Sequence, residues 1–204
     1  MLVVVTDRAQ AASAGRPLRA TVAAALAGGA PTVLLRDKDL PAPDRVGLAR
    51  DLRSLTADAG AALWIAGDVE LAAGVGADGV HVAASDPWPE RSGIAVGRSC
   101  HTIAELRAAE ARGAAWATYS PVYVTTSKPG YGPALGPDGL AAGCRAVPGL
   151  AVLALGGVGP GRAGDCVRAG AAGVALMGAV MGAGDPEAVV RAVAAELAPL
   201  RSPL

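Results

Sequence analysis

Eight short apolar runs, nearly all alternating with helical patterns, set the narrowest limit on what this chain can fold into. They are Leu2–Thr6, Thr32–Leu35, Ala62–Ala66, Gly79–Val82, Ile94–Val96, Ala114–Thr118, Ala151–Leu155 and Gly173–Met177. Helical patterns fall at Pro17–Leu26, Asp44–Leu55, Val69–Ala73, Thr102–Ala111, Asp138–Arg145, Arg162–Ala169 and Pro186–Leu197. Near-continuous β-branched runs without polar alternation are strands of a parallel sheet covered on both faces. Eight of them predict closure, so the expected fold is α/β, a (β/α)8 TIM barrel forming a single domain over residues 1–204. At 204 residues the chain is short for a fold that usually takes about 250 residues, so the loops must be tight. An open doubly wound sheet is the alternative, but it would need a glycine-rich GxGxxG turn after the first strand, and none is present.

Local signals support these boundaries. Gly28-Gly29 stops the first predicted helix, Thr102 with Glu105 forms a capping box, and Asp185 caps the last helix. In Asp44–Leu55 the pattern places Val46, Leu48, Leu52 and Leu55 inward and the arginines outward. Asp7-Arg8 reads as a polar loop.

Composition decides what fills the core. Aromatic residues make up 3% and Phe is absent, so Ala, Val and Leu must do most of the packing. Formal charge is zero and no basic block occurs, which argues against nucleic acid as a partner. Cys100, Cys144 and Cys166 are odd in number and lack CxxC spacing, so neither a disulfide framework nor a zinc site is expected. The apolar N-terminal run is too short for a signal peptide, and no stretch approaches a membrane span. A cytoplasmic protein with no membrane partner is the expectation; homo-oligomerisation is left open.

In a barrel the active site lies at the carboxyl ends of the strands. Arg36 and Lys38 follow the second strand, Asp86 the fourth, Ser99 and His101 the fifth. Thr125, Ser127 and Lys128 follow the sixth, Gly156-Gly157 the seventh, and Met177-Gly178 the eighth. Lys38 and Lys128 are the only lysines in a chain whose other cations are arginines. Ammonium groups, hydroxyls and glycine N–H groups together suit a phosphate or diphosphate. Asp86, set among cations, could bind Mg²⁺, which takes one or two carboxylates plus substrate phosphates. Each residue has an innocent reading, with Arg36–Asp37 a surface ion pair and Asp86-Pro87 a turn. Their convergence on one rim is harder to explain away. His81 reads as a hydrogen-bonded residue near a strand end, and Cys100 as inert.

The motifs VVVTD, LLRDKDL, ADGVHVAASD, GRSCH, SPVYVTTSK, LALGGV and AGAAGVALM occur in the order found in the thiamine phosphate synthase/TenI family. The chain resembles that family over nearly its whole length, without the family's usual leading helix before the first strand. The resemblance implies a Mg²⁺-assisted dissociative substitution joining hydroxymethylpyrimidine diphosphate to a thiazole phosphate. By that likeness Arg36, Lys38 and Lys128 act on the departing diphosphate with Ser99, and Asp86 ligates the metal. Thr125, Ser127, Gly157 and the backbone at Gly178 then hold the thiazole phosphate.

Departures qualify the likeness. Leu34 stands where synthases carry Gln. Ala66-Gly67-Asp68 replaces Asn-Asp-Arg, so the second metal carboxylate is missing unless Asp68 substitutes for it; Asp68 also reads as a helix N-cap. Ala83-Ala84 replaces the Gly-Gln before Asp86, and Pro121 stands where TenI tautomerases carry His. Three functions follow as expectations: a synthase, a TenI-like thiazole tautomerase with His101 as the nearby proton shuttle, or a non-catalytic phosphate-binding barrel.

Overall fold

The computed structural model describes residues 1–90, 93–125 and 133–200. In chain order the elements are β1 (Leu2–Val5), α1 (Arg8–Ser13), α2 (Leu18–Ala27), β2 (Thr32–Leu35), α3 (Ala42–Asp58) and β3 (Ala62–Ala66). They continue through α4 (Val69–Gly74), β4 (Gly79–Val82), β5 (Ala95–Cys100), α5 (Ile103–Ala111), β6 (Trp116–Tyr119) and α6 (Gly136–Ala146). The chain then forms β7 (Val152–Ala154), α7 (Ala163–Arg168), β8 (Gly173–Leu176), α8 (Gly178–Met181) and α9 (Pro186–Leu197), and a 3-10 turn spans Ala198–Leu200. The eight strands pair in sequence order, all parallel, and β1 closes on β8 with Leu2 opposite Val174. Closure excludes the open doubly wound sheet.

Alternation along the strands sorts the apolar residues into two cores. Outward positions such as Val4, Leu35, Ile65, Val82, Ala117 and Leu176 pack under the helices. Inward positions, Val3, Val5, Leu34, Trp64, Ala66, Trp116, Leu153 and Ala175, fill the barrel. Trp64 and Trp116 meet edge to face with ring centroids 4.9 Å apart. Gly79 makes room for them, because a Cβ there would lie 2.5 Å from the Trp64 ring. An aromatic-poor chain thus spends two of its three tryptophans plugging the barrel.

Side-chain caps mark the starts of α1, α4, α5 and α9. Thr102 and Glu105 form the reciprocal capping box on α5, and Asp185 accepts from Ala188 N to start α9. Several boundaries correct the sequence reading. Strand β5 runs to Cys100, so Ser99 lies within it. Asp7 caps a helix, α1, where a polar loop was expected. Helix α8 was also unforeseen. On α3 the buried face is Arg45, Ala49, Leu52 and Thr56, with Val46, Leu48 and Leu55 only partly buried. An arginine therefore points inward: Arg45 donates to Ala66 O at 2.6 Å and to Asp68 at 3.1 Å, pinning the β3–α4 turn.

Candidate active site

At the carboxyl ends of the strands lies a cavity of about 1240 Å³. Arg36, Lys38, Ser99, Thr125, Gly157 and Gly178 all line it, so the structure brings together six residues expected from the sequence. His81, His101, Thr118, Ser120 and Arg162 line it as well, and Val5, Leu34, Ala66 and Ala175 give it an apolar floor. Ser127 and Lys128 lie outside the described residues.

The wall after β1 and β2 is built of paired charges. Arg36 continues the inward parity of Leu34, and its guanidinium reaches Asp7 at 3.4 Å. It does not pair with Asp37, as a surface ion pair would have required. Asp37 is buried: its carboxylate accepts from the Thr6 hydroxyl at 2.6 Å and from Arg8 N at 2.8 Å, tying the first two strand ends together. Lys38 Nζ sits 3.1 Å from Asp86 Oδ2. Asp86 also accepts from Ala83 N at 3.0 Å. That N–H, with the Lys38 ammonium and nearby Arg98 beside it, outweighs partial burial and holds the carboxyl below its ordinary range. Arg98 clips the same loop by donating to Asp86 O and Ala84 O at 2.8 and 2.6 Å.

Asp68 takes no part in this cluster. It caps α4 through Leu71 N at 2.9 Å and pairs with Arg45, which confirms the N-cap reading. Gly67, where the resemblance would place a carboxylate, has φ +68°, and a Cβ there would fall 2.5 Å from Lys38 Nζ. The lysine's ammonium occupies the space a side chain at this position would need.

The opposite wall, after β6, β7 and β8, is largely backbone. Gly156 and Gly157 have φ of +93° and +65°. A Cβ on Gly157 would lie 2.7 Å from Val124 O and from Tyr123 Cβ, so these glycines satisfy both a left-handed turn and close packing of the β6 loop. Gly178 and Ala179 open α8, where first-turn N–H groups have no intrahelical acceptor. Arg162 donates to Gly157 O at 2.9 Å, and its guanidinium lies 4.8 Å from the centre of the Tyr123 ring.

Between the walls, His81 contacts Ser99 Oγ through Nε2 at 3.0 Å, the hydrogen-bonded role read for it from the sequence. Burial, with Lys38 and Arg98 nearby, lowers its pKa to about 3, so the ring is neutral. His101 uses Nδ1 against Ser120 O at 2.9 Å, and its backbone N–H goes to Glu105. Burial pushes the Cys100 thiol up to about 12, which fits its reading as inert.

Arg162, Thr118 and Ser120 were missed by sequence reasoning. Arg162 had one usable signal, an arginine following the glycine-rich end of the seventh strand. Thr118 had none, since an inward hydroxyl in an apolar run looks like a strand former.

A closed parallel barrel with cations, hydroxyls and glycine backbone around its carboxyl-end cavity defines a (β/α)8 enzyme scaffold with its site in the usual place. Residues 2–180 match the family model described as thiamine monophosphate synthase. The chain is similar to the thiamine-phosphate synthase of a Roseiflexus species, at 41% identity over 97% of this chain and 85% of that protein. It is also similar to the thiamine-phosphate synthase of Moorella thermoacetica, at 37% over 94% and 92%. Among solved structures, thiamine phosphate pyrophosphorylase from Pyrococcus furiosus superposes with a TM-score of 0.87 at 27% identity, covering 98% of this chain and 96% of that one. The chain belongs to the thiamine monophosphate synthase family.

Proposed function

We propose that the chain catalyses the reaction for which its family is named, joining hydroxymethylpyrimidine diphosphate to thiazole phosphate and releasing diphosphate. What carries this reading is the gathering of Arg36, Lys38, Ser99, Thr125, Gly157 and Gly178 around one cavity. The bond between the pyrimidine methylene carbon and the diphosphate oxygen breaks, its electron pair leaving with diphosphate. The resulting carbocation is then captured by the thiazole nitrogen. Arg36 and Lys38 stabilise the charge that develops on the leaving group, and Ser99 donates to it. The apolar floor of Val5, Leu34, Ala66 and Ala175 keeps water from the cation. Thr125 and the backbone at Gly157 and Gly178 hold the thiazole phosphate opposite.

Mg²⁺ belongs to the same proposal. Asp86 is the carboxylate that would hold it, and among the described residues no three His, Cys, Asp or Glu side chains come together. With Asp68 committed to Arg45 and its helix, this donor set suits a cation that arrives on the diphosphate and keeps phosphate and water oxygens as most of its ligands. Bound there it would neutralise charge on the departing diphosphate. No helix among the described residues is long and apolar enough to cross a membrane. We place the work in the cytoplasm because substrates carrying several phosphate charges do not cross a bilayer unaided.

Incubating both substrates with Mg²⁺ should yield thiamine phosphate and diphosphate; no product at high enzyme concentration defeats the reading. One observation keeps the tautomerase in view: His101 lines the cavity, as does Pro121. Full tautomerase activity in His101→Ala would remove that role. Calorimetry showing tight thiamine phosphate binding without turnover would favour the non-catalytic barrel.

A further inference from the structure

The His81 ring is held on three sides. It stacks on Trp116 with centroids 4.3 Å apart and planes 15° from parallel, and a Cβ on the facing Gly97 would lie 2.6 Å from Nδ1. The side chain is 5% exposed. Nε2 meets Ser99 Oγ, whereas Nδ1 is buried and has no hydrogen-bond partner among the described residues. A neutral imidazole has one proton to place. On Nδ1 it would be an orphaned buried donor, rarer in proteins than an under-used acceptor, and Nε2 would then consume the Ser99 hydroxyl proton. On Nε2 it donates to Ser99 Oγ and leaves the hydroxyl proton free to point into the cavity.

We propose that His81 is a positioning residue: seated on Trp116 with its proton on Nε2, it fixes the Ser99 hydroxyl as a donor to an anion in the cavity. The inference rests on the reading of the cavity as a diphosphate site. Sequence position alone hides the pairing, because the two side chains come from neighbouring strands, 18 residues apart. The barrel's pleat turns both inward. The ring stays neutral because burial, Lys38 and Arg98 all oppose its protonation, so its donor role does not change across the neutral range.

The test is pyrophosphate titration by calorimetry, with turnover measured in parallel, on His81→Gln, His81→Asn, His81→Leu, Ser99→Ala and the His81→Leu/Ser99→Ala double variant. A Gln amide reaches the place of Nε2, and an Asn amide reaches only that of Nδ1. The Leu and Asn variants should weaken pyrophosphate binding about tenfold, the scale of one hydrogen bond to a charged group, while Gln stays within about threefold of wild type. In the Ser99→Ala background His81→Leu should cost less than about twofold more, since the two act as one unit. Equal losses in Gln and Asn, or a full further loss in the double variant, overturns the inference. If the Leu variant does not fold, the Gln–Asn contrast still decides. Pyrophosphate binding by wild type with the His81 variants unaffected overturns this inference alone; no binding by wild type overturns the diphosphate reading as well.

Discussion

The two walls of the cavity are made of different material. After β1, β2 and β4 the wall is side chain: Arg36 against Asp7 and Lys38 against Asp86, each cation resting on a carboxylate. After β7 and β8 the wall is backbone, two left-handed glycines and the opening turn of α8. A paired ammonium can leave its partner and follow charge as it develops on a leaving group. A glycine turn is fixed before any ligand arrives. On the reaction proposed above, the side-chain wall would take the diphosphate, whose charge changes during reaction, and the backbone wall the thiazole phosphate, which is only held. In kinetic terms the first should control kcat and the second KM.

The largest effect is expected at Lys38. Lys38→Ala should lower kcat for thiamine phosphate formation about 10²- to 10³-fold, the scale of losing one preorganised group from a transition-state cradle. Thermal stability should hardly change, because partly exposed ion pairs contribute about 0–1 kcal/mol. Steady-state kinetics with both substrates decides it. A rise in KM at constant kcat would break the division between the walls.

On the other wall, Gly157→Ala meets both a positive φ and a 2.7 Å approach to Val124 O. It should cost about 2 kcal/mol of stability. The KM for thiazole phosphate should rise more than kcat falls, because Thr125 is carried on the displaced loop. Denaturant melts together with kinetics separate the two effects.

His81, between the walls, sharpens the comparison through pH. Its pKa is about 3 in the folded protein and 6.5 ordinarily. Between those values the unfolded chain binds the extra proton, so stability rises with pH in that window and is lost as pH falls from 6.5 toward 3. At pH 5 the loss should be about 2 kcal/mol relative to pH 8, and His81→Gln should abolish this part of the slope. Melts of both proteins at the two pH values measure it. A slope unchanged in the Gln variant would mean that the ring is charged or exposed.

What the sequence made legible follows the same division. Glycines and cations placed just after apolar runs announced both walls, because chain order puts strand ends on one rim. The pairings that orient the charges were hidden. Arg45 looks like an outward helical arginine, and its partners Ala66 and Asp68 lie 21 and 23 residues away. Lys38 finds Asp86 across 48 residues. Helices α1 and α8 are too short to show a period. The two tryptophans that plug the barrel looked like ordinary strand residues, since nothing local says which face of a strand turns inward.

Arg162 supplies the mildest test and the one aimed at the division itself, because it is a charged side chain on the backbone wall. Its guanidinium is spent on Gly157 O and lies over Tyr123, so it braces the glycine turn and adds positive potential with no carboxylate paired to it among the described residues. Removing it should relax the turn and weaken phosphate holding together. Arg162→Ala is expected to raise the KM for thiazole phosphate about tenfold, with kcat within about threefold. Arg162→Lys should recover the charge but not the fit over Tyr123, and so fall between wild type and Ala. If instead kcat falls about as far as in Lys38→Ala while KM holds, Arg162 acts on the leaving group, and the two walls share the developing charge.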